Sequence, residues 1–231
     1  MPNNLLRLFD LALSIARLPT AHLEFRRAIN PNDVGIMHRH CTRRHSKYLV
    51  FQNKSLGAAL LDLTKFRNPE EYMDTVKGRN SAAHHARKAK SKGYRVIEID
   101  RNDFIDDIHE INTSVDIRQG RPMDAVYRQK TTHYPIDQNF KYFGVLNAAG
   151  KLMAYGDLGF YGNFFAFNRV IGVRNNDGMM HLMLTEIICQ LIGGGSCRYL
   201  MYDTYFGASP GLKTFKSMLG FEPYRAKYSI Q

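Results

Sequence analysis

Residues 209–220 constrain this chain most. Ser209 stands where a helix N-cap belongs, Pro210 suits the first helical position, and Gly220 suits the position just past a helix end. Between them Leu212, Phe215, Met218 and Leu219 recur at helical spacing on one face. Upstream, Arg198 to Phe206 alternates and is rich in Tyr and Leu, the pattern of a strand; downstream, Phe221 to Ile230 reads as another. The chain therefore ends strand, short helix, strand, with Gly220-Phe221 as a sharp corner.

The elements before this tail point to a mixed α+β fold. Phe140 to Asn147 and Lys151 to Tyr161 read as a hairpin around Ala148-Ala149-Gly150, and Asn163 to Val173 continues as a third strand across Gly162. A largely buried helix follows, capped by Asn176 or Asp177 and stopped by the glycines at 193–195. Tyr94 to Ile99 is a strand, and Asn102-Asp103 opens a helix to about Ser114. Nearer the start, the spacing predicts an amphipathic helix over Leu5 to Leu18, a strand over His22 to Ala28, and a turn at Asn30-Pro31-Asn32-Asp33. Tyr48 to Phe51 and Gly57 to Leu63 read as a hairpin. Asn68-Pro69 opens one helix, and a second, basic one spans about Gly78 to Lys92. The expected sheet is mixed and mostly antiparallel, flanked by helices. The expected division is a basic N-terminal extension over 1–93, packed on or completing the sheet, and a main domain over 94–231.

Charge narrows the partners. The chain has 32 Lys and Arg against 21 Asp and Glu, a net +11, which favours anionic partners such as nucleic acid or nucleotide phosphates. Arg39, Arg43 and Arg44 cluster in one segment and Arg79, Arg87 and Lys88 in another, and both are candidates for nucleic-acid contact. His38, His40, Cys41 and His45 share the first segment, but their spacing matches no zinc pattern, so no metal is expected. Three scattered cysteines suggest a reducing compartment. Arg7, Asp10 and Arg17 interrupt the N-terminal apolar run, against a signal peptide, and no run approaches the roughly 20 apolar residues of a membrane span. A cytoplasmic protein without a membrane partner is the expectation; oligomeric state is open.

The run GLKTFKSMLGFEPY (211–224) resembles the closing segment of the GNAT acyltransferase superfamily, where a short helix ends in a "lGF" corner before the last strand. It is closer still to the Fem-type, aminoacyl-tRNA-dependent transferases. There a Tyr-Asp strand end precedes a Gly-Leu-x-x-Phe-Lys helix, as Tyr202-Asp203 precedes Gly211-Leu212-Lys213-Thr214-Phe215-Lys216 here. The run 68–100, with Arg79, Arg87, Lys88, Ala89, Lys92 and Gly93, is similar to the Fem-type helix and basic segment that lead into a strand, so the resemblance covers about 67–231. It implies two strands that splay apart, with the donor received at the start of the helix between them. The usual GNAT sign at that helix start is Q/R-x-x-G-x-G/A. Here VRNNDGMMH keeps only Arg174 and Gly178, and Asp177 opposes a pyrophosphate. That departure suits an aminoacyl-tRNA donor better than acyl-CoA.

Acyl transfer to an amine needs a base, donors for the tetrahedral oxyanion, and a proton for the leaving group. Candidate bases are Asp157, Glu186 and Asp203; Tyr202 and Tyr205 are candidate proton donors. Ser209, Lys213 and Lys216, with Arg174 and Gly178, are candidates for donor binding, and the resemblance puts basic residues of this helix beside donor or acceptor. Arg118 and Arg121 in the loop VDIRQGRPM are candidates to clamp the acceptor. No tightly bound cofactor is expected; the co-substrate is an aminoacyl-tRNA or an acyl-CoA. Two other readings stand beside the tRNA-dependent one: an acyl-CoA-dependent N-acetyltransferase of a small molecule or peptide, and a non-catalytic nucleic-acid-binding protein.

Overall fold

A computed structural model describes residues 15, 17–46, 52–78, 80–118 and 121–231. In chain order the elements are β1 (Thr20–Phe25), α1 (Pro31–Thr42), β2 (Leu56–Asp62), α2 (Pro69–Thr75), α3 (Ala82–Ser91), β3 (Arg95–Glu98), α4 (Ile105–Thr113), a small ribbon β4 (Ile117–Arg118) and β5 (Arg121–Pro122), and one turn α5 (Ala125–Arg128). Then come β6 (Phe140–Leu146), β7 (Leu152–Phe160), β8 (Phe164–Gly172), α6 (Met179–Gly194), β9 (Tyr199–Thr204), α7 (Pro210–Met218) and β10 (Glu222–Ile230).

Eight strands form one sheet in the order β1-β10-β2-β9-β8-β7-β6-β3. Only β1–β10 and β8–β9 pair parallel; the rest pair antiparallel. The fold is thus mixed α+β with a mostly antiparallel sheet. The segment before residue 94 contributes β1 and β2 to this same sheet, with β2 between β9 and β10.

Side-chain alternation sorts the strands onto two helical layers. One face sends Phe143, Leu158, Phe165 and Leu200 against α2, α3 and α6. The other sends Phe164, Ala166 and Met201 toward α1, and Tyr142 and Tyr155 toward α4. The helix starts are local chemistry. The side chains of Asn30, Asn68, Ser81 and Ser209 accept from the backbone N–H groups of Asp33, Glu71, His84 and Leu212.

Two expectations change. Asn30-Pro31-Asn32-Asp33 opens α1 and is not a free turn, because an Asn cap followed by Pro serves either purpose. The His/Cys segment therefore lies on and just beyond a helix that turns Cys41 into the core. Burial pushes its thiol up to about 12, and no group of three metal-ligating side chains converges among the described residues. Neither Asn176 nor Asp177 caps α6. Gly178 does, at φ +87°, while Asp177 turns away to the Lys92 ammonium and the Tyr94 hydroxyl. Residues 119–120 and most of 5–18, the expected N-terminal helix, lie outside the described residues. So do residues 47–51, which hold the expected strand at 48–51.

Candidate active site

The strand pair β8–β9 decides the site. It holds only at Phe164↔Tyr199, Phe165↔Leu200 and Ala166↔Met201. Beyond those three pairs β8 follows β7 out to Gly172, whereas β9 follows β2, with Thr204 opposite Ala58. The sheet opens between them. At the far end of β9, Tyr205 N–H donates to the Gly57 carbonyl (2.6 Å), and the Phe206 ring lies where a Cβ on Gly57 would stand, 2.2 Å from its nearest carbon. With φ +69° as well, position 57 requires glycine.

Two cavities meet at the opening. A cavity of about 400 Å³ is lined by Val173, Arg174, Ser209 and Phe215; one of about 580 Å³ is lined by His40, Lys54, Arg169, Asp203 and Lys216. Val170, Tyr202 and Leu212 border both. Lys216 forms the floor. It sits in the last turn of α7, fully buried, donating from Nζ to the Thr204 carbonyl (2.7 Å) and lying 4.9 Å over the Tyr202 ring. Burial lowers its pKa to about 8, against the attraction of Asp203. At neutral pH the cleft thus has a dry ammonium that is still mostly charged.

Tyr202 is held edge-on by Phe167, Phe215 and Phe221, with ring centroids 5.4, 6.4 and 5.8 Å away. Burial raises its pKa, and Asp203 adds to the rise, so the side chain stays a protonated phenol at neutral pH. Asp203 has φ +55°, a left-handed backbone that Asp tolerates, and its carboxylate pairs with Lys54. Tyr202 and Asp203, though consecutive, both border the second cavity.

Other candidates fall elsewhere. The Tyr205 hydroxyl bonds Ser217 Oγ and reaches the Lys213 carbonyl (3.4 Å), fastening β9 to α7. Ser209 caps α7 at the rim of the first cavity. Glu186 pairs with Lys90 (2.7 Å) and lines a separate cavity beside Cys189, so it is not brought to the cleft. Asp157 lies farther along the face of α4, beside Arg101 and Arg169. Arg39 and Arg43 belong to α1 and its cap, with Arg44 just after, on one face of the sheet. Arg87 and Lys88 belong to α3 on the other. Arg79 and the side chains of Arg118 and Arg121 lie outside the described residues.

At the start of α6 a Cβ on Gly178 would stand 2.2 Å from the His85 carbonyl oxygen. The glycine answers the close approach of α3. His181 stacks on His85 (4.6 Å), and burial lowers its pKa to about 4, so the helix start is lined by a neutral imidazole. The residues that sequence reasoning missed are Lys54, His40 and Arg169. His40 shows in the sequence only as part of the His/Cys segment, and Arg169 only as a charge amid the apolar run of β8.

No protein-family model and no curated protein matches the chain. Solved structures do. FemX superposes with a TM-score of 0.55 at 12% identity, covering 73% of this chain and 59% of its own. The C-terminal domain of an Agrobacterium fabrum protein described as a lysylphosphatidylglycerol synthetase superposes with a TM-score of 0.50 at 13% identity, covering 74% and 61%. The likeness is one of fold: this chain shares its mixed sheet and flanking helices with FemX and with that synthetase domain. The chain spans about three fifths of the length of these two structures. Within this fold β8 and β9 are the pair that opens, and α6 starts beside the gap. Among the described residues no helix is long and apolar enough to cross a membrane.

Proposed function

We propose that this protein is an N-acyltransferase whose donor carbonyl sits at the β8–β9 opening and whose acceptor amine enters from the 580 Å³ cavity. The observation that carries the reading is the dry Lys216 ammonium beneath the point where the two cavities meet. When the amine attacks, negative charge grows on the carbonyl oxygen. A fixed cation in a water-poor site lowers the energy of that charge without reorganising to do so. Tyr202 then protonates the leaving oxygen, and Asp203, with Lys54 beside it, accepts the proton of the incoming amine.

The donor favoured here is an aminoacyl-tRNA. The start of α6 is packed by α3 at Gly178, and Asp177 turns to Lys92, so the usual pyrophosphate seat of an acyl-CoA is taken by protein. Beside it Lys88 lines a cavity adjoining the first one, and the net +11 supplies attraction for a polyanion. The amine-bearing acceptor is the second substrate.

The test is consumption of donor by the purified full chain. Aminoacylated total tRNA with a mixture of small amines should be discharged at least about a hundredfold faster than without protein. Acetyl-CoA under the same conditions should be untouched. Turnover of acetyl-CoA alone assigns the protein to the CoA-dependent class. Salt-sensitive tRNA binding with no turnover of either donor makes it a binding protein.

A further inference from the structure

A further cavity, of about 380 Å³, opens beside the acceptor cavity and shares Asp33, Asn168 and Arg169 with it. Its floor is built by register: Tyr142, Asp157 and Arg169 stand opposite one another on β6, β7 and β8 and so point to one side of the sheet. Asp157 is buried and holds two arginines at one oxygen, Arg101 at 3.1 Å and Arg169 at 3.8 Å. The two differ in what they offer. Arg101 is 8% exposed, packed 3.8 Å from the Tyr142 ring centre, and donates to Asp157 and to the Pro135 carbonyl (2.6 Å). Arg169 is 31% exposed, borders both cavities, and has Tyr127 over its guanidinium at 5.2 Å.

This arrangement is a preorganised oxyanion seat. Arg101 neutralises the charge of Asp157, and Asp157 in turn aims Arg169. The Tyr127 ring lies over the guanidinium, whose fork of N–H donors suits two-point contact with a planar carboxylate or a phosphate. Across the join Asp33 supplies the opposite sign, its carboxylate accepting from Asn139 Nδ2 (2.8 Å). Asp137 lines the cavity as well, so Arg169 faces two reachable carboxylates, a balance that disfavours a polyanion here and suits a ligand carrying one anionic and one cationic group. The same space reaches Lys216 and Tyr202 at its other end.

We infer that Arg169 anchors an oxyanion carried by the acceptor itself, so that the acceptor is an amine bearing its own carboxylate or phosphate. The inference deepens the transferase reading and rests on it for the word acceptor, but its binding arm needs neither donor nor turnover. The arginine Nε–Hε resonance of Arg169, assigned by its loss in Arg169→Lys, is followed in the full chain. Inorganic phosphate, acetate and, as the neutral isostere, acetamide are titrated in turn. A saturable shift confined to Arg169 with phosphate indicates a phosphorylated acceptor, and one with acetate a carboxylate-bearing acceptor; either supports the inference. Equal shifts with acetamide, no shift with either ion, or the same shift at every exposed arginine would overturn it. A negative result here leaves the chemistry at the strand opening standing, and an inactive transfer assay leaves this seat standing.

Discussion

Lys216→Met should lower the transfer rate about a hundredfold or more and, at neutral pH, make the protein more stable. The rate effect follows from position. Removing one preorganised electrostatic contributor to an oxyanion costs about 10²–10³ in rate. The stability effect follows from the buried charge. The unfolded lysine titrates near its ordinary 10.5 and the folded one near about 8. The unfolded chain therefore binds the proton more tightly, and at pH 7 the native state bears a cost of about 3 kcal/mol. Methionine removes that cost but leaves the Thr204 carbonyl without its donor, a loss of about 1–3 kcal/mol. The net gain is about 0–2 kcal/mol, or up to a few degrees in Tm. The sign is checkable against pH. Between about 8 and 10.5 the unfolded state holds more protons than the folded one, so wild-type stability rises with pH and the variant's advantage shrinks. The activity of the wild type should fall over the same window as the ammonium is lost. Thermal melts at pH 7 and pH 10, with initial rates of donor discharge, measure all of this. A variant that melts lower at pH 7 and keeps its rate would remove Lys216 from both roles.

Arg101→Met should be the more damaging change to the fold. It strips the main hydrogen-bonding partner from Asp157, whose carboxylate is buried and whose other oxygen already lacks a partner. Breaking a buried pair on one side costs about 3–5 kcal/mol, because the remaining charge has no water. Burial already pushes the Asp157 carboxyl above its ordinary range, with Arg169 and Arg101 pulling it down. Losing Arg101 raises it further. The raised group is protonated and harmless at low pH, while the unfolded carboxylate ionises near its ordinary 3.8. The penalty therefore appears as pH rises past that value and is complete above the folded pKa. Urea melts at pH 5 and pH 8 should show the variant nearer to wild type at pH 5. The double change Arg101→Met with Asp157→Leu should recover most of the loss at pH 8, since it deletes the stranded charge. No recovery in the double variant would mean that Arg101 acts through packing on Tyr134 and Tyr142 instead.

The tail was legible because its signals are local: a Ser-Pro start, an apolar stripe and a Gly end leave α7 little choice. The hairpin β6–β7 and strand β8 were legible for the same reason. The opening was legible only through resemblance, since no residue announces that β8–β9 pairing stops after Ala166 and Met201. That follows from which neighbour each strand prefers beyond the pair. Lys216 left a trace that was read only in part: it stands four residues after Leu212, on the stripe that turns inward, yet its full burial needs the Thr204 carbonyl from another element. Lys54 meets Asp203 from 149 residues away, and no window spans that distance. Asp157 and Arg169 showed as charges inside apolar strands, but only strand register sets them side by side. Glu186 was read as a candidate base on type alone, and α3 claims it through Lys90. Asn30-Pro31 failed as a turn for the opposite reason, since the same two residues also open a helix.

In the proposed transferase, donor and acceptor meet at Val170, Tyr202 and Leu212. A photoreactive benzoylphenylalanine at Leu212, compared with one at Gln190 beside the separate cavity behind α6, tests it most directly. With labelled aminoacyl-tRNA, label should be captured at position 212, less so with added amine acceptor, and not at 190. Capture at 190 without capture at 212 would contradict it.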